Sequence, residues 1–449
     1  MPRTAESSFA DVHLGEESET KAVELDPERQ FRILLVGDFS GRAWRKNPPH
    51  SFKPQALDRD NFDEVLEQMQ PVVKVHGIDF SFRELEDFHA DRIYQSAKPL
   101  FQDLERQIQQ APPPKAAAPA AAPASAPRSA PSGSLLDAII ADHGDEPSTP
   151  VSVSEANDLA AFIERVSRGS TVPRESAAEQ QRTARRDALA AEALREILRH
   201  PRMQALEAAW RAAYLLVRGL NTDGDLKLYI LNITLPELIA EMDTIRKELQ
   251  RRGPWAVIAA NYAFGQSELD AQALHRMARL AKSLGAPFLA EAHLQGDHAE
   301  SWDELRHSTE APWIGLALPR FLLRLPYGKE TSAIESFPFE EMPESEHAAY
   351  LWGNPAFLCV YLLGKSFLAH GWELNPMERR VDGLPMHVYQ EDGEPVAKPC
   401  AEILLTEREA MKLMDAGFMP LASLKHEPAA MIVRFQSIAE PPKGLAGLR

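Results

Sequence analysis

The stretch GDFSGR at 37–42 follows the apolar run FRILLV and invites a phosphate-loop reading. Such a loop needs GxxxxGK followed by Ser or Thr, so that backbone amides and a lysine surround the phosphates. Here the glycines are one residue too close, Arg42 stands where the lysine would be, and AWRK begins no obvious helix. The segment reads as a strand-ending turn. DRDNFDE at 58–64 looks like half a calcium loop but lacks the central glycine and the distal glutamate. Asp60 or Asn61 is instead expected to cap a helix. His293 and His298, with Glu291 and Asp297 nearby, have loose metal-ligand spacing, and no HExxH pattern sets them on one helix face. There is no GxSxG elbow, and Cys359 and Cys400 lie in no nucleophile context. The expectation is a protein without catalytic residues, metal or cofactor, and not an enzyme.

The segment 313–328, WIGLALPRFLLRLPYG, carries two cations in a run apolar enough for a core strand. Pro319 and Pro326 should end or redirect the local backbone. Arg320 and Arg324 must be paired if buried, since an unpaired buried charge costs several kcal/mol; Glu340 and Glu341 are the expected partners. The stretch reads as a buried structural corner.

These residues need a scaffold, and the composition supplies one. With 449 residues, 44% hydrophobic and 26% charged, the chain can bury a substantial core in two or three domains. A net charge of −17 argues against a nucleic-acid-binding surface, which needs basic patches to replace counterions. Two cysteines without a CxxC pair suit a reducing, cytoplasmic compartment. The apolar run within 347–372 is interrupted by Gly353, Asn354, Pro355 and Lys365. What remains is shorter than the roughly 20 residues a bilayer requires, so a buried core helix is expected and no membrane insertion.

Along the chain, residues 1–26 read as a polar, mobile tail, and 27–110 as a first packed region with strands, a helix at 60–69 and a second amphipathic helix. At 111–134 the sequence turns to APPPKAAAPAAAPASAPRSAPSGS, whose seven prolines prevent a packed fold. As a semi-extended linker it could span about 70 Å, at about 3.1 Å per residue. Residues 135–200 are expected to be helical. From 201 to 449, LKLYILNI, PWAVIAANYAF and PFLAEAH alternate with helical periodicity, which indicates an α/β fold. SLLDAIIADHG, after the linker, has no evident local core. Its Leu135, Leu136, Ile139 and Ile140 follow the spacing of a helix that lies in a partner's groove.

FRILLVGDFSGR, DRDNFDEVL and LEDFHAD resemble the small subunit of the bacterial type VI secretion contractile sheath. Past the linker, LRHPRMQALEAAWRAAYLLV, LKLYILNI, IAANYAFG, APFLAEA, LALPRFLLRLPYG, YLWGNPAF, FLAHGW, VDGLP and GFMPL resemble, in order, the large subunit. The resemblance implies two sheath-subunit-like α/β regions joined by the linker as an intramolecular pair. It also implies that Pro319, Arg320, Arg324, Pro326, Trp352 and Asn354 belong to a structural core. SLLDAII matches the helix that the AAA+ sheath-recycling unfoldase recognises in this family. The partners it implies are the sheath small and large subunits, the baseplate and that unfoldase.

Family large subunits continue well past the counterpart of MIVRFQSIAEPP, and the two subunits are normally separate chains. These departures suggest an accessory or end-located component that docks on sheath or baseplate without propagating the tube. The alternatives are a full protomer of a divergent system, or a regulatory adaptor that binds sheath subunits or the unfoldase.

Overall fold

FRILLVG places alternate large apolar side chains on two sides of an extended backbone, and both sides are covered. In the computed structural model this run is β1 (Phe31–Gly37), and six of its seven residues are buried. The structure describes residues 29–45, 51–99, 101, 106, 177–294, 298–343, 347–374, 379–391 and 393–448. Two compact units divide the chain: residues up to Phe101 together with Leu189 onward, and Gln102–Ala188, of which the described part is mainly the start of one helix.

After β1 come β2 (Gln55–Leu57), α1 (Phe62–Met69), the hairpin β3 (Val72–Val75) and β4 (Ile78–Ser81), and α2 (Ala90–Ser96). Helices α3 (Ala177–Leu198) and α4 (Pro201–Gly219) lead to β5 (Leu226–Asn232), α5 (Leu235–Ala240), α6 (Met242–Arg252) and β6 (Val257–Phe264). The alternation continues through α7 (Glu268–Leu284), β7 (Phe288–Ala292), α8 (Glu300–His307) and β8 (Ile314–Leu318). Two short strands, β9 (Phe321–Leu322) and β10 (Trp352–Gly353), precede α9 (Ala356–His370) and β11 (Arg380–Asp382). The hairpin β12 (His387–Glu391) and β13 (Glu394–Lys398), α10 (Glu407–Asp415), β14 (Met419–Ser423) and β15 (Ala429–Ile432) complete the described chain.

Nine strands form one sheet in the order β11-β15-β14-β8-β7-β6-β1-β5-β2. Strands from β14 to β5 in that order run parallel, while β2 and β15 are antiparallel to their neighbours. β1 lies between β5 and β6, with Phe31 opposite Leu226 and Ile33 opposite Val257. The first packed region of the sequence therefore supplies a central strand to a sheet whose other core strands come from Leu226 onward. Counting only β1, β5, β6, β7 and β8 along the chain, the winding is doubly wound, with β1 at the point where the strand order reverses.

Parallel strands covered on both faces read as continuous apolar runs, and β8 is buried throughout. On one face Leu34, Val36, Leu231, Ile258 and Ala260 pack against Leu238, Ile245, Leu274, Met277 and Trp302 from α5 to α8. On the other, Phe367 of α9 stacks on Phe31 at 4.7 Å. A helix that is apolar all round belongs in a core, and α9 is one: Phe357, Leu358, Cys359, Val360 and Leu362 are buried. No helix among the described residues is long and apolar enough to cross a membrane.

At the start of α1 the sequence expectation is corrected in detail. Asn61 occupies the N-cap position, but its side chain makes no cap hydrogen bond. Its Oδ1 accepts from the Asp58 amide at 2.9 Å, and Asp58 Oδ1 accepts from the amides of Asp60 and Asn61, so the acidic turn is satisfied within itself.

Candidate functional site, an ion-paired corner

The corner begins where β8 ends. A cis peptide bond joins Leu318 to Pro319. The chain then turns away from the sheet, and Phe321 and Leu322 pair antiparallel with Gly353 and Trp352. Arg320 is half-exposed and makes a bidentate fork to Glu402, at 2.8 and 2.7 Å. The Glu402 amide donates to the Arg320 carbonyl at 2.8 Å, so backbone and side chain tie the same two residues. Glu340 and Glu341, the partners expected from sequence, do not meet Arg320.

Arg324 does meet Glu341. Its Nη1 donates to Glu341 Oε2 at 2.7 Å, and its Nε donates to Glu207 Oε1 at 2.7 Å. Glu207 comes from α4, its side chain has no solvent exposure, and it also accepts from Arg211 at 2.6 Å. Glu341 is 1% exposed and accepts the Tyr327 amide at 2.8 Å, while the Arg324 guanidinium lies 4.3 Å from the centre of the Tyr327 ring. Two arginines and two carboxylates thus balance in a buried cluster. Burial alone would raise the Glu207 carboxyl, but Arg324 and Arg211 outweigh it and hold it below the usual carboxylate range. Burial works against the Arg324 charge too, and the carboxylates Glu207 and Glu341 overcome it. Burial pushes the Tyr327 phenol up to about 12.

Pro326 leads into that ring, and from it the corner reaches the first packed region. Tyr327 makes an edge contact with His89, at 4.8 Å between ring centres. Asp91 accepts the backbone amides of Glu335 and Ser336 at 2.9 and 3.0 Å. Arg195 of α3 and Arg199, just past its end, donate to the carbonyls of Glu340 and Glu341.

Asn354 has a separate task. The register between β6 and β7 shifts between Ala259 and Ala263, freeing carbonyls that a regular ladder would use. Asn354 Nδ2 donates to two of them, Ala260 at 3.2 Å and Tyr262 at 3.1 Å, while its Oδ1 accepts the Ala356 amide at the start of α9. Trp352 is nearly buried and stands over the Lys398 ammonium.

Open doubly wound sheets bind ligands beyond the carboxyl ends of their strands where the order reverses. Here that place, next to β1, is taken by the chain's own groups. Asp38 turns back to accept the amides of Ser40, Arg42 and Ala43. Arg42 forks onto Glu237 at 2.9 and 2.7 Å. Against the effect of burial, Arg42 and Thr234 hold the Glu237 carboxyl down at about 2. The Tyr262 hydroxyl donates to the Ile233 carbonyl at 2.7 Å. Both glycines of GDFSGR have a packing reason. A Cβ at Gly37 would lie 2.8 Å from Asn261, and Gly41 has φ 74° beneath Trp44. Trp210 then fastens the turn from α4, donating to the Phe39 carbonyl at 2.7 Å.

Of the expected site residues, the structure brings Pro319, Arg320, Arg324, Pro326, Trp352 and Asn354 into one neighbourhood of strand ends and corner loops. Leu135, Leu136, Ile139 and Ile140 lie outside the described residues. Among the described residues, no group of His, Cys, Asp or Glu is placed to hold a metal ion. Glu207, Arg211, Tyr327 and Glu402 are the members that reading the sequence missed. Only Glu207 left a signal: it falls four residues after Met203 and three before Trp210, within the apolar stripe of α4.

The architecture is thus a wound α/β sheet with a buried ionic corner, its switch point beside β1 filled by the chain's own side chains. Residues 180–296 and 291–439 match the family described as EvpB/VipB, tail sheath N-terminal domain. Because that match spans more than half of the chain, the protein belongs to the tail sheath family. Residues 11–109 match a second family, VipA of the type VI secretion system. The chain is also similar to the type VI secretion system sheath protein TssC1 of Pseudomonas aeruginosa, with 32% identity over 289 residues, 55% of this chain. It spans 58% of the length of that relative.

Proposed function

We propose that this chain is a structural component of a type VI secretion contractile apparatus, acting in the cytoplasm without catalysis. It carries a small-subunit-like region (27–110) and a large-subunit-like core (201–449) as one pre-assembled pair, with 111–134 as linker. The finer reading is an accessory or end-located component that docks on sheath or baseplate and does not extend the tube.

The observation that carries the finer reading is the state of the strands. A lattice grown by strand exchange needs a donor and an acceptor on every protomer. Every described strand is already paired within one of four sheets. The outer strands of the nine-stranded sheet, β2 and β11, are three residues each. At the β11 edge Arg380 pairs with Asp382 and Glu427, a charged edge of the kind that resists pairing. The two-stranded sheets, among them the β12–β13 hairpin, have outer edges with no strand partner among the described residues, and such an edge suits docking.

The partners on this reading are sheath small and large subunits and the baseplate. The unfoldase is a further partner through Leu135, Leu136, Ile139 and Ile140; unchanged unfoldase binding by Leu136→Asp would remove it from the proposal. Labelled protein imaged on purified sheaths by electron microscopy tests the main reading. Label at one end supports it. Label along the whole tube, or tubules formed by the purified chain alone, favours a full protomer, and label on soluble subunits only favours an adaptor.

A further inference from the structure

The β12–β13 hairpin pairs only with itself in the sheet topology; backbone bonds tie the chain to the body just outside its two ends, from the Leu384 amide to the Pro428 carbonyl and from the Leu322 amide to the Cys400 carbonyl. Between those ties the hairpin itself is held by side chains, through a relay of charged groups. Lys398 of β13 donates to His347 Nδ1 at 2.9 Å, and His347 Nε2 lies 3.2 Å from Glu402 Oε1. Glu402 is held in turn by Arg320, and Arg320 stands 4.0 Å from Glu291 at the end of β7. The ammonium of Lys398 also faces the rings of Tyr350 and Trp352 at 5.6 and 5.7 Å. On β12, His387 Nδ1 is 2.8 Å from the Tyr350 hydroxyl, a contact that either tautomer supports.

An ammonium has donors only, so it can bond His347 Nδ1 only when that nitrogen carries no proton. The tautomer is therefore settled by its two neighbours: Nε2–H donates to Glu402, and Nδ1 accepts from Lys398. A second proton has no place except Nδ1, where it would point at Lys398. We propose that His347 is a proton-operated latch, which holds the β12–β13 hairpin when neutral and lets it go when charged.

The surrounding groups add to the effect. Facing His347 among the described residues are Lys398 from β13, Glu402 and, behind it, Arg320 and Glu291. Burial raises the Glu291 carboxyl to about 7, although Arg320 opposes the rise. Acidification to pH 5.5 therefore discharges Glu291. Once His347 carries its second proton, the relay has passed from net neutral to an excess of two positive charges, with Glu402 as its only remaining anion. Arg320 is forked onto Glu402 and Lys398 is the flexible member, so the hairpin is the part that leaves. Its departure widens the groove of about 840 Å³ between β12 and the loops carrying Leu325, Lys329 and Met342.

Hydrogen–deuterium exchange on the full chain, normalised for intrinsic rates, tests the latch. Peptides covering 386–398 should lose about tenfold protection between pH 7.5 and 5.5, the worth of one charge-assisted bond, while α7 stays protected. In His347→Gln, whose amide can bridge both neighbours without titrating, the ratio between the two pH values should fall to about one. Lys398→Met should give a ratio near one as well, with the hairpin open at both pH values. Glu291→Gln should keep most of the tenfold change. A wild-type ratio near one, or a tenfold ratio retained in either His347→Gln or Lys398→Met, overturns the proposal.

Discussion

Replacing Arg324 by methionine removes the cation from the buried cluster while keeping an apolar stem of similar length. Glu207 would keep Arg211, but Glu341, 1% exposed, would keep only the Tyr327 amide of the bonds described. Breaking a buried pair from one side costs about 3–5 kcal/mol, because the charge left behind has neither partner nor water. Loss of the contact with the Tyr327 ring adds about 1 kcal/mol. Retained Arg211 offsets part of this, which leaves about 4 kcal/mol, or about a thousandfold in the folded-to-unfolded ratio. Arg320→Met, four residues earlier, is the internal control: its side chain is 41% exposed, and the loss should be about 1 kcal/mol. Urea unfolding followed by tryptophan fluorescence measures both. A double-mutant cycle with Glu341→Gln should show coupling of about 2 kcal/mol. Equal losses for Arg324→Met and Arg320→Met, or strict additivity in the cycle, would refute the assignment of the cluster as the stabilising centre of the corner.

The cluster also sets an acid limit: Glu207 is depressed when folded, so its contribution is present above the unfolded carboxyl value and is lost as pH falls through the folded one. Arg324→Met should flatten that acid limb in urea titrations at pH 3 to 5. Glu237, at about 2 when folded, behaves alike; Arg42→Met should remove about 1 kcal/mol at pH 7, after allowance for exposure, and nearly nothing at pH 2. At the start of α4, His200 Nδ1 accepts the Arg202 amide, and burial, then Arg202 and His76, lower its pKa. Unfolded chains bind that proton first, so this contribution is lost as pH falls below about 6.5; His200→Asn, a cap that does not titrate, should remove the slope in melting temperature between pH 6.5 and 5. Asn354→Asp should be more damaging than Asn354→Ala, since it sets an anion against the carbonyls of Ala260 and Tyr262; about 2 kcal/mol separates them in thermal melts.

Much of the architecture was legible because parallel strands buried on both faces leave long apolar runs. β1, β5, β6 and β7 are such runs, and α9 is an apolar helix too short and too interrupted for a bilayer. Their order in the sheet was not legible, since local pattern says nothing of which run lies beside which. The corner was half legible. Two arginines in an apolar stretch demanded acids, yet Glu402 lies 82 residues from Arg320 and Glu207 lies 117 from Arg324. Sequence proximity favoured Glu340 and Glu341, and only Glu341 serves Arg324. β12 and β13 were missed because HVYQE and EPVAK have half-exposed faces and a proline, with little apolar alternation to mark them.

The central place of β1 has a consequence in time. Phe31 pairs with Leu226, so the ribosome must add 195 residues after the first strand before its neighbour exists. At about 5–20 residues per second, that is roughly 10–40 s during which an apolar strand waits without its sheet. Contacts this distant along the chain fold slowly and leave sticky edges open meanwhile. A burst of synthesis should therefore make this protein a heavy client of strand-binding chaperones. Pulse-chase capture of nascent chains shorter than about 230 residues, set against full-length ones, would register the wait directly.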